Sequence, residues 1–240
     1  HGMIGMPICE KYPEEAKEVN QDSIKEICKY IGKDQIIVYP NTNSSYGAQP
    51  GICDENTKMK PLSLYAKTKD EGEKYIAELP NSKIFRLATV FGATCGRQRF
   101  DLLFNNMVLN AYFTSKIELY EGDFYRNFVS VNDVAQCFEW SIRNINGTNI
   151  FNLANEKLNI KKREMAEIIA DFTGCSIEEK LDSDIDKRDC RVSAQKLKLA
   201  GYEAKINFTH ELPNLLDLCE RLPYNKEDRE HVLKFMRNFP

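Results

Sequence analysis

Tyr65 and Lys69 stand four residues apart in the segment LYAKTK, at 64–69. In a helix that spacing puts both side chains on one face. A lysine ammonium beside a phenol favours the phenolate and lowers the tyrosine pKa. Such a phenol can act as a general base near neutral pH. Thr42 precedes Tyr65 by 23 residues, in the polar run PNTNSSYG at 40–47, directly after the apolar run IIVY at 36–39. Ligands of open α/β sheets bind beyond the carboxyl ends of the strands, so a loop there would display a hydroxyl to substrate. Arg97, Arg99, Arg126 and Arg188 add planar donor forks that suit phosphate. Taken singly these signals are weak. Tyrosine and lysine fall four apart by chance on many solvated helices, and any one arginine can be a surface ion pair.

The elements needed to hold these residues are legible. Residues 13–31 read as a helix, with Ala16, Val19, Ile24, Ile27, Cys28 and Ile31 at helical spacing and Gly32 as its C-cap. IIVY at 36–39 reads as a short buried strand running into the 40–47 loop. A second helix spans 62–79 and is closed by Pro80, and KIFRL at 83–87 is another strand. A helix over 101–114 follows the basic loop 96–99. Strand-like material fills 116–131, and Asn132 and Asp133 open a helix to Asn144. A strand at 149–153 and a helix at 161–173 follow, and 225–240 reads as a charged amphipathic helix on the outside. Strand and helix alternate, which predicts a parallel α/β sheet with helical cover.

Composition narrows the function classes. The chain has 240 residues, 36 acidic and 33 basic, with a net charge of −3. That length suits one domain, or one domain with an appended lobe. A general nucleic-acid binder would show a basic excess, and no run approaches the roughly 20 apolar residues of a membrane helix. No basic segment followed by an apolar run marks a signal peptide, so a cytoplasmic protein is expected. Eight cysteines are widely spaced with no C-x-x-C pair, and there are three histidines. The expectation is reduced, mostly buried thiols and no zinc site.

Seven segments in order carry a family resemblance: YPNTNSSYG (39–47), PLSLYAKTKDEGEK (61–74), FRLATVFG (85–92), RQRFDLLFNN (97–106), YRNFVSVNDVA (125–135), FNLAN (151–155) and DKRDCRVSAQKL (186–197). The chain resembles the extended short-chain dehydrogenase/reductases that act on nucleotide sugars, the NAD-dependent epimerase/dehydratase group. The resemblance implies an α/β fold, with a Rossmann-type parallel sheet, helices on both faces and a small C-terminal α/β substrate lobe. It implies residues 1–115 as the remaining part of the NAD-binding domain. Residues 116–240 would mainly form the substrate lobe and a helical tail, with the chain crossing back to the sheet around 125–160. Thr42 matches the hydroxyl that binds the reacting sugar oxygen, and Tyr65 the general acid/base. Lys69 matches the residue that binds the nicotinamide ribose and tunes the tyrosine. Asn20 and Thr89 stand with Tyr65 and Lys69 as cofactor contacts. Ser44, Asn106, Arg97, Arg99, Arg126 and Arg188 are the implied substrate contacts. The implied cofactor is NAD, with NADP open, and the implied ligand is a nucleotide-diphosphate sugar. The implied assembly is a homodimer through helices 13–31 and 62–79.

Two departures from the group's pattern bear on activity. The similar 4,6-dehydratases carry Asp-Glu directly after the catalytic threonine, where this chain has Asn43 and Ser44. An amide and a hydroxyl cannot supply the acid and base that expel water. A 4-epimerase is therefore preferred, with a 4-keto reductase, a dehydratase or a non-catalytic nucleotide-sugar binder as alternatives. The 240 residues also contain no G-x-x-G-x-x-G. By the resemblance, roughly 60–80 residues, one mononucleotide-binding half, are expected to be missing before Ile4. An unseen segment, an expressed fragment and a truncated gene starting at Met3 are the competing explanations.

Overall fold

The structure is a computed structural model that describes residues 2–96, 98–181 and 189–222. The expectations placed on Arg97, Arg188 and the helix 225–240 lie outside the described residues.

Three helical pieces come first: α1 (Met6–Lys11), α2 (Pro13–Lys17) and α3 (Ser23–Cys28), with a π-helical turn, Glu18–Asp22, joining the last two. β1 (Ile37–Thr42) enters a 3-10 turn, Asn43–Tyr46, and a short β2 (Ile52–Cys53) comes next. α4 (Leu64–Ala77) leads to β3 (Ser82–Leu87) and β4 (Thr89–Phe91). α5 (Leu103–Thr114) precedes β5 (Lys116–Tyr120), β6 (Tyr125–Arg126) and β7 (Phe128–Ser130). α6 (Val131–Asn144) returns the chain to β8 (Asn149–Leu153). β9 (Ile160–Lys161), α7 (Lys162–Thr173), β10 (Ser176–Lys180), β11 (Arg191–Val192), α8 (Gln195–Ala200) and α9 (Phe208–Glu220) complete it.

The expected parallel α/β sheet is present. Its described strands run in the order β1–β3–β8, all parallel. Parallel neighbours require crossovers, and α4 supplies the one from β1 to β3. β3 is central and buried along most of its length. Its Phe85 lies in register between Pro40 and Phe151. Smaller pairs surround the sheet: β4 with β7, β5 with β10 and β2 with β11 are parallel, and β6 with β9 is antiparallel.

Several boundaries differ from the sequence reading. The helix expected at 13–31 widens into the π turn and ends at Cys28, so Gly32 does not cap it. The widening accompanies a buried side chain: Asn20 is 2% exposed and is hydrogen-bonded inward. The strand expected at 36–39 starts at Ile37 and continues through Pro40 to Thr42. β1 lies at the edge of the described sheet, where a residue lacking an N–H is tolerated. The loop expected over 40–47 is thus shortened to the compact 3-10 turn. It is closed by Gly47 at φ +71°, where an added Cβ would lie 2.2 Å from the Lys60 carbonyl oxygen. The helix expected from Asn132 and Asp133 begins at Val131, because the Ser130 hydroxyl accepts from the Asn132 amide as its N-cap.

The core has distinct centres. One fills the space between β1, β3 and α4 with Tyr39, Ile76 and Ile84. A second, around β3, β8 and α6, holds Phe85, Val134, Phe151 and Leu153. The third joins α5, α7 and α9 to β5 and contains an aromatic knot. In it Phe104 stacks on Phe208 at 4.3 Å, and Phe91 meets Phe208 edge-on at 4.8 Å. All eight cysteines are free thiols, and six of them are buried.

Candidate active site

Thr42 is the last residue of β1 and the N-cap of the adjoining 3-10 turn. Its Oγ1 accepts from the Ser44 amide at 3.2 Å and donates to Ser44 Oγ at 2.9 Å. The two hydroxyls are therefore held side by side at the carboxyl end of the strand. Asn43 points elsewhere: its amide donates to Asn127 Oδ1, and Asn127 Nδ2 donates to the Cys190 carbonyl at 3.1 Å.

α4 starts at Leu64, two residues later than expected, because Ser63 caps it. Ser63 Oγ accepts from the Ala66 amide at 3.2 Å, and the helix carries Tyr65 and Lys69 on its first turns. The turn bearing Thr42 and Ser44 packs against this helix. Lys69 Nζ lies 4.2 Å from the centre of the Tyr39 ring, and Tyr39 OH donates to the Lys69 carbonyl at 3.3 Å. Burial lowers the Lys69 pKa to about 8, against a smaller opposing pull from Glu73. Burial and then the nearby Tyr65 phenol both raise the Tyr39 pKa. Tyr39, Tyr65 and Lys69 thus form one electrostatic group beside the Thr42 turn.

The remaining expected residues divide. Arg99 forks onto Asp101 with two contacts of 2.6 Å, and its pKa is raised first by that carboxylate and also by Tyr65. It therefore stands within electrostatic reach of Tyr65. Arg126 is buried, with Nη1 donating to the Tyr125 carbonyl at 3.1 Å. The Asn106 side chain accepts from Asn110 Nδ2 at 3.0 Å. Thr89 is tied through its amide to the Asn127 carbonyl at 3.0 Å. Asn20 grips the main chain of Met3 at both ends, with Met3 N to Oδ1 at 2.9 Å and Nδ2 to Met3 O at 2.8 Å, and its Nδ2 also reaches Thr68 Oγ1 at 3.3 Å.

Residues 3–154 match the NAD dependent epimerase/dehydratase family. The chain belongs to this family. It is 28% identical over 188 residues to an uncharacterized protein of Methanocaldococcus jannaschii, covering 73% of this chain and 56% of that protein. It is 32% identical over 105 residues to an uncharacterized UDP-glucose epimerase of Bacillus subtilis, covering 41% of this chain and 32% of that protein. The chain therefore spans from about a third to just over half of these two relatives. Among solved structures, the UDP-glucose 4-epimerase of Thermotoga maritima with UDP-glucose superimposes with a TM-score of 0.78 at 16% identity, over 92% of this chain and 75% of that one. The dTDP-glucose 4,6-dehydratase of Bacillus anthracis in complex with NAD gives 0.74 at 21% identity, over 88% and 70%. Likeness at those identities establishes the Rossmann-type fold alone.

The structure of this family member also shows polar residues that the sequence reading left unassigned. Arg86 on β3 and Glu73 on α4 form a buried ion pair. Arg86 Nη1 also donates to Tyr46 OH at 3.0 Å, and Tyr46 OH donates to Asn152 Oδ1 at 2.7 Å. Asn41 donates to Glu73. Asn105 Oδ1 accepts from the Gly92 amide at 3.1 Å and its Nδ2 donates to the Arg99 carbonyl at 3.0 Å, which pins both ends of the loop after β4. The signal for Glu73 was present, since it lies one further helical turn beyond Lys69 on the same face.

Proposed function

We propose that the protein is a nucleotide-sugar epimerase of the 4-epimerase type. The observation that carries this reading is the state of the two residues after Thr42. Asn43 is turned onto Asn127, and Ser44 is hydrogen-bonded with Thr42 itself. No carboxyl group stands directly after Thr42 to serve as the acid and base that dehydration needs.

In this reading Thr42 Oγ1 hydrogen-bonds the sugar oxygen, and Tyr65 takes the proton from that oxygen and later returns it. Lys69 keeps positive charge beside the phenol and favours its ionised form. NAD, held on this side by Lys69, Thr89 and Asn20, would supply the hydride acceptor and donor for the sugar carbon. Lys69 is proposed for the nicotinamide ribose, because among the described residues its ammonium lies over the Tyr39 ring and makes no ion pair. Thr89 and Asn20 are the other proposed contacts on that side, Asn20 acting through the Met3 main chain. The 240 residues contain no glycine-rich turn, so they do not supply that cradle for the cofactor diphosphate. Arg126, Arg99 and Asn106 are proposed for the substrate diphosphate, with Arg97 and Arg188.

The dimer is proposed through α2, α3 and α4. Ile27 is 51% exposed and Leu62, just before α4, is 57% exposed, which supports a covered face there. Light scattering after size exclusion would report a dimer mass.

The test is a panel of UDP-, dTDP-, GDP- and CDP-hexoses with and without NAD. Interconversion of a 4-epimeric pair is expected, and Tyr65→Phe should abolish it. Accumulation of a 4-keto-6-deoxy sugar would overturn the reading in favour of a dehydratase. Nucleotide-sugar binding with neither NAD binding nor turnover would overturn it in favour of a non-catalytic binder.

A further inference from the structure

Asn127 lies between β6 and β7 and ties together stretches of chain that are far apart in sequence. Its Oδ1 accepts from the Asn43 side chain, in the turn that follows Thr42. Its Nδ2 donates to the Cys190 carbonyl at 3.1 Å, in the segment that enters β11. Its own carbonyl accepts from the Thr89 amide at 3.0 Å, at the start of β4. Asn43, Asn127 and Cys190 are all buried. Solvent therefore competes little for these bonds, and each amide group must find its partner inside the protein.

The end of this chain of bonds fixes its direction. A backbone carbonyl can only accept. The nitrogen of Asn127 must therefore face Cys190, its oxygen must face Asn43, and Asn43 must present its own nitrogen. An ionised carboxylate has no proton to give. At position 43 an aspartate would set oxygen against oxygen, and at position 127 it would set oxygen against the Cys190 carbonyl. Both positions thus call for an amide by polarity as well as by size.

Each end is anchored in turn. Asn43 directly follows Thr42, whose Oγ1 is bonded to Ser44. At the other end Asp189 accepts from the Tyr125 amide through Oδ1 at 2.9 Å and from the Gln49 amide through its carbonyl at 3.3 Å. The Val192 amide donates to Asn159 Oδ1 at 2.8 Å. Arg126, which directly precedes Asn127, is itself buried. We propose that Asn127 is a positioning residue that holds the Thr42 turn in register with Arg126 and the 189–192 segment. The sugar oxygen and the diphosphate are then received at a fixed separation. The inference rests on the proposed placing of the sugar at Thr42 and of the diphosphate at Arg126.

The experiment compares Asn127→Ala, which cuts the chain of bonds in the middle, with Asn43→Ala, which cuts it at the turn, and Asn127→Asp, which keeps the size and reverses the polarity at one end. Hydrogen exchange followed by NMR reads the link without turnover. The Ser44 amide, which donates to Thr42 Oγ1, should exchange about tenfold faster in both alanine variants. The Asn132 amide, held by Ser130, should stay as in wild type. The Tyr125 amide should quicken in Asn127→Ala and not in Asn43→Ala. In the epimerisation assay Asn127→Ala should lower kcat by about 100-fold. KM should change by less than about threefold, since the arginine proposed for the diphosphate remains. Asn127→Asp should not restore kcat and should also raise KM, because it sets a carboxylate beside the diphosphate. Lower stability with kcat unchanged would reduce Asn127 to a structural role and overturn the inference. So would wild-type exchange at Ser44 in both alanine variants, or wild-type kcat in Asn127→Asp. If Asn127→Ala does not fold, Asn43→Ala carries the same expectations for Ser44 exchange and for kcat. A wild type without turnover would sink the epimerase reading, and exchange at Ser44 would then decide the link by itself.

Discussion

Glu73 and Arg86 meet carboxylate to guanidinium in the space between α4 and β3, with Nη2 to Oε1 at 2.6 Å and Nε to Oε2 at 3.2 Å. Both side chains are 7% exposed. Helix and sheet are therefore joined by a two-point ion pair one turn along α4 from Lys69. The same pair reaches β1 through Asn41 and the Asn43–Tyr46 turn through Tyr46.

Removing one partner of this pair should cost far more than removing both. Glu73→Ala leaves a buried guanidinium without its counter-charge, at a cost of about 3–5 kcal/mol. Replacing both residues with methionine deletes both charges and should recover much of that loss. Denaturant unfolding of the two single variants and the double variant checks this. A double variant no more stable than Glu73→Ala would show that the pair is not the reason.

Gly72 gives a test of sign. Exchanging an exposed helical glycine for alanine usually stabilises by up to about 1 kcal/mol. Here an added Cβ would lie 2.6 Å from Tyr39 OH and 2.9 Å from the Asn20 backbone oxygen. The backbone oxygen belongs to the π turn and cannot swing aside as a side chain can. Gly72→Ala should therefore destabilise by about 1–3 kcal/mol, read as a fall in Tm. A rise in Tm would mean that α4 and the π turn are not packed this closely.

The pattern of elements was legible because hydrophobic period and turn residues are local properties of the chain. The 149–153 strand matches β8, and the helix expected at 62–79 contains α4. What was not legible depended on partners distant in sequence. Asn20 was expected near a cofactor, but no local signal said that its amide would hold Met3 or that the helix would widen around it. Asn127, which restrains Asn43 from 84 residues away, lay inside the 125–135 segment, but nothing local there pointed to Asn43 as its partner. The places of Thr42 at a strand end and of Tyr65 and Lys69 on one helix were legible because a strand-end hydroxyl and Y-x-x-x-K are short-range patterns. The ion pair of Glu73 and Arg86 was not, although both residues lay inside segments that carried the resemblance.

Asn20 should prove to be a clamp on the Met3 segment. Asn20→Ala deletes both hydrogen bonds to the Met3 main chain and the contact with Thr68. Buried groups left unpaired cost about 1–3 kcal/mol. The loss should be local first, with faster hydrogen exchange at Met3 and earlier proteolysis before α1 than in wild type. Asn20→Asp keeps the acceptor for Met3 N but sets an oxygen against Met3 O, so it should not rescue. Unchanged exchange at Met3 would count against the clamp.

Lys69 should show stability and activity moving in opposite directions. Its folded pKa of about 8 lies below the unfolded value of 10.5. Below pH 8 both states hold the proton, and the folded state bears the full cost of covering the charge. Between pH 8 and 10.5 the folded lysine releases its proton while the unfolded one keeps it, so the native state gains stability with rising pH. Lys69→Met carries no such charge. The stability difference between Lys69→Met and wild type should therefore be largest in favour of the variant at pH 7 and shrink as pH approaches 10.5. Thermal unfolding across pH 7 to 10.5 measures it, and a difference that does not change with pH would reject the lowered pKa. Activity should move the other way. Wild-type kcat/KM should fall as Lys69 loses its charge above pH 8, because the proposed Tyr65 phenolate then loses the cation one turn along its helix, and Lys69→Met should be impaired at every pH with no such fall.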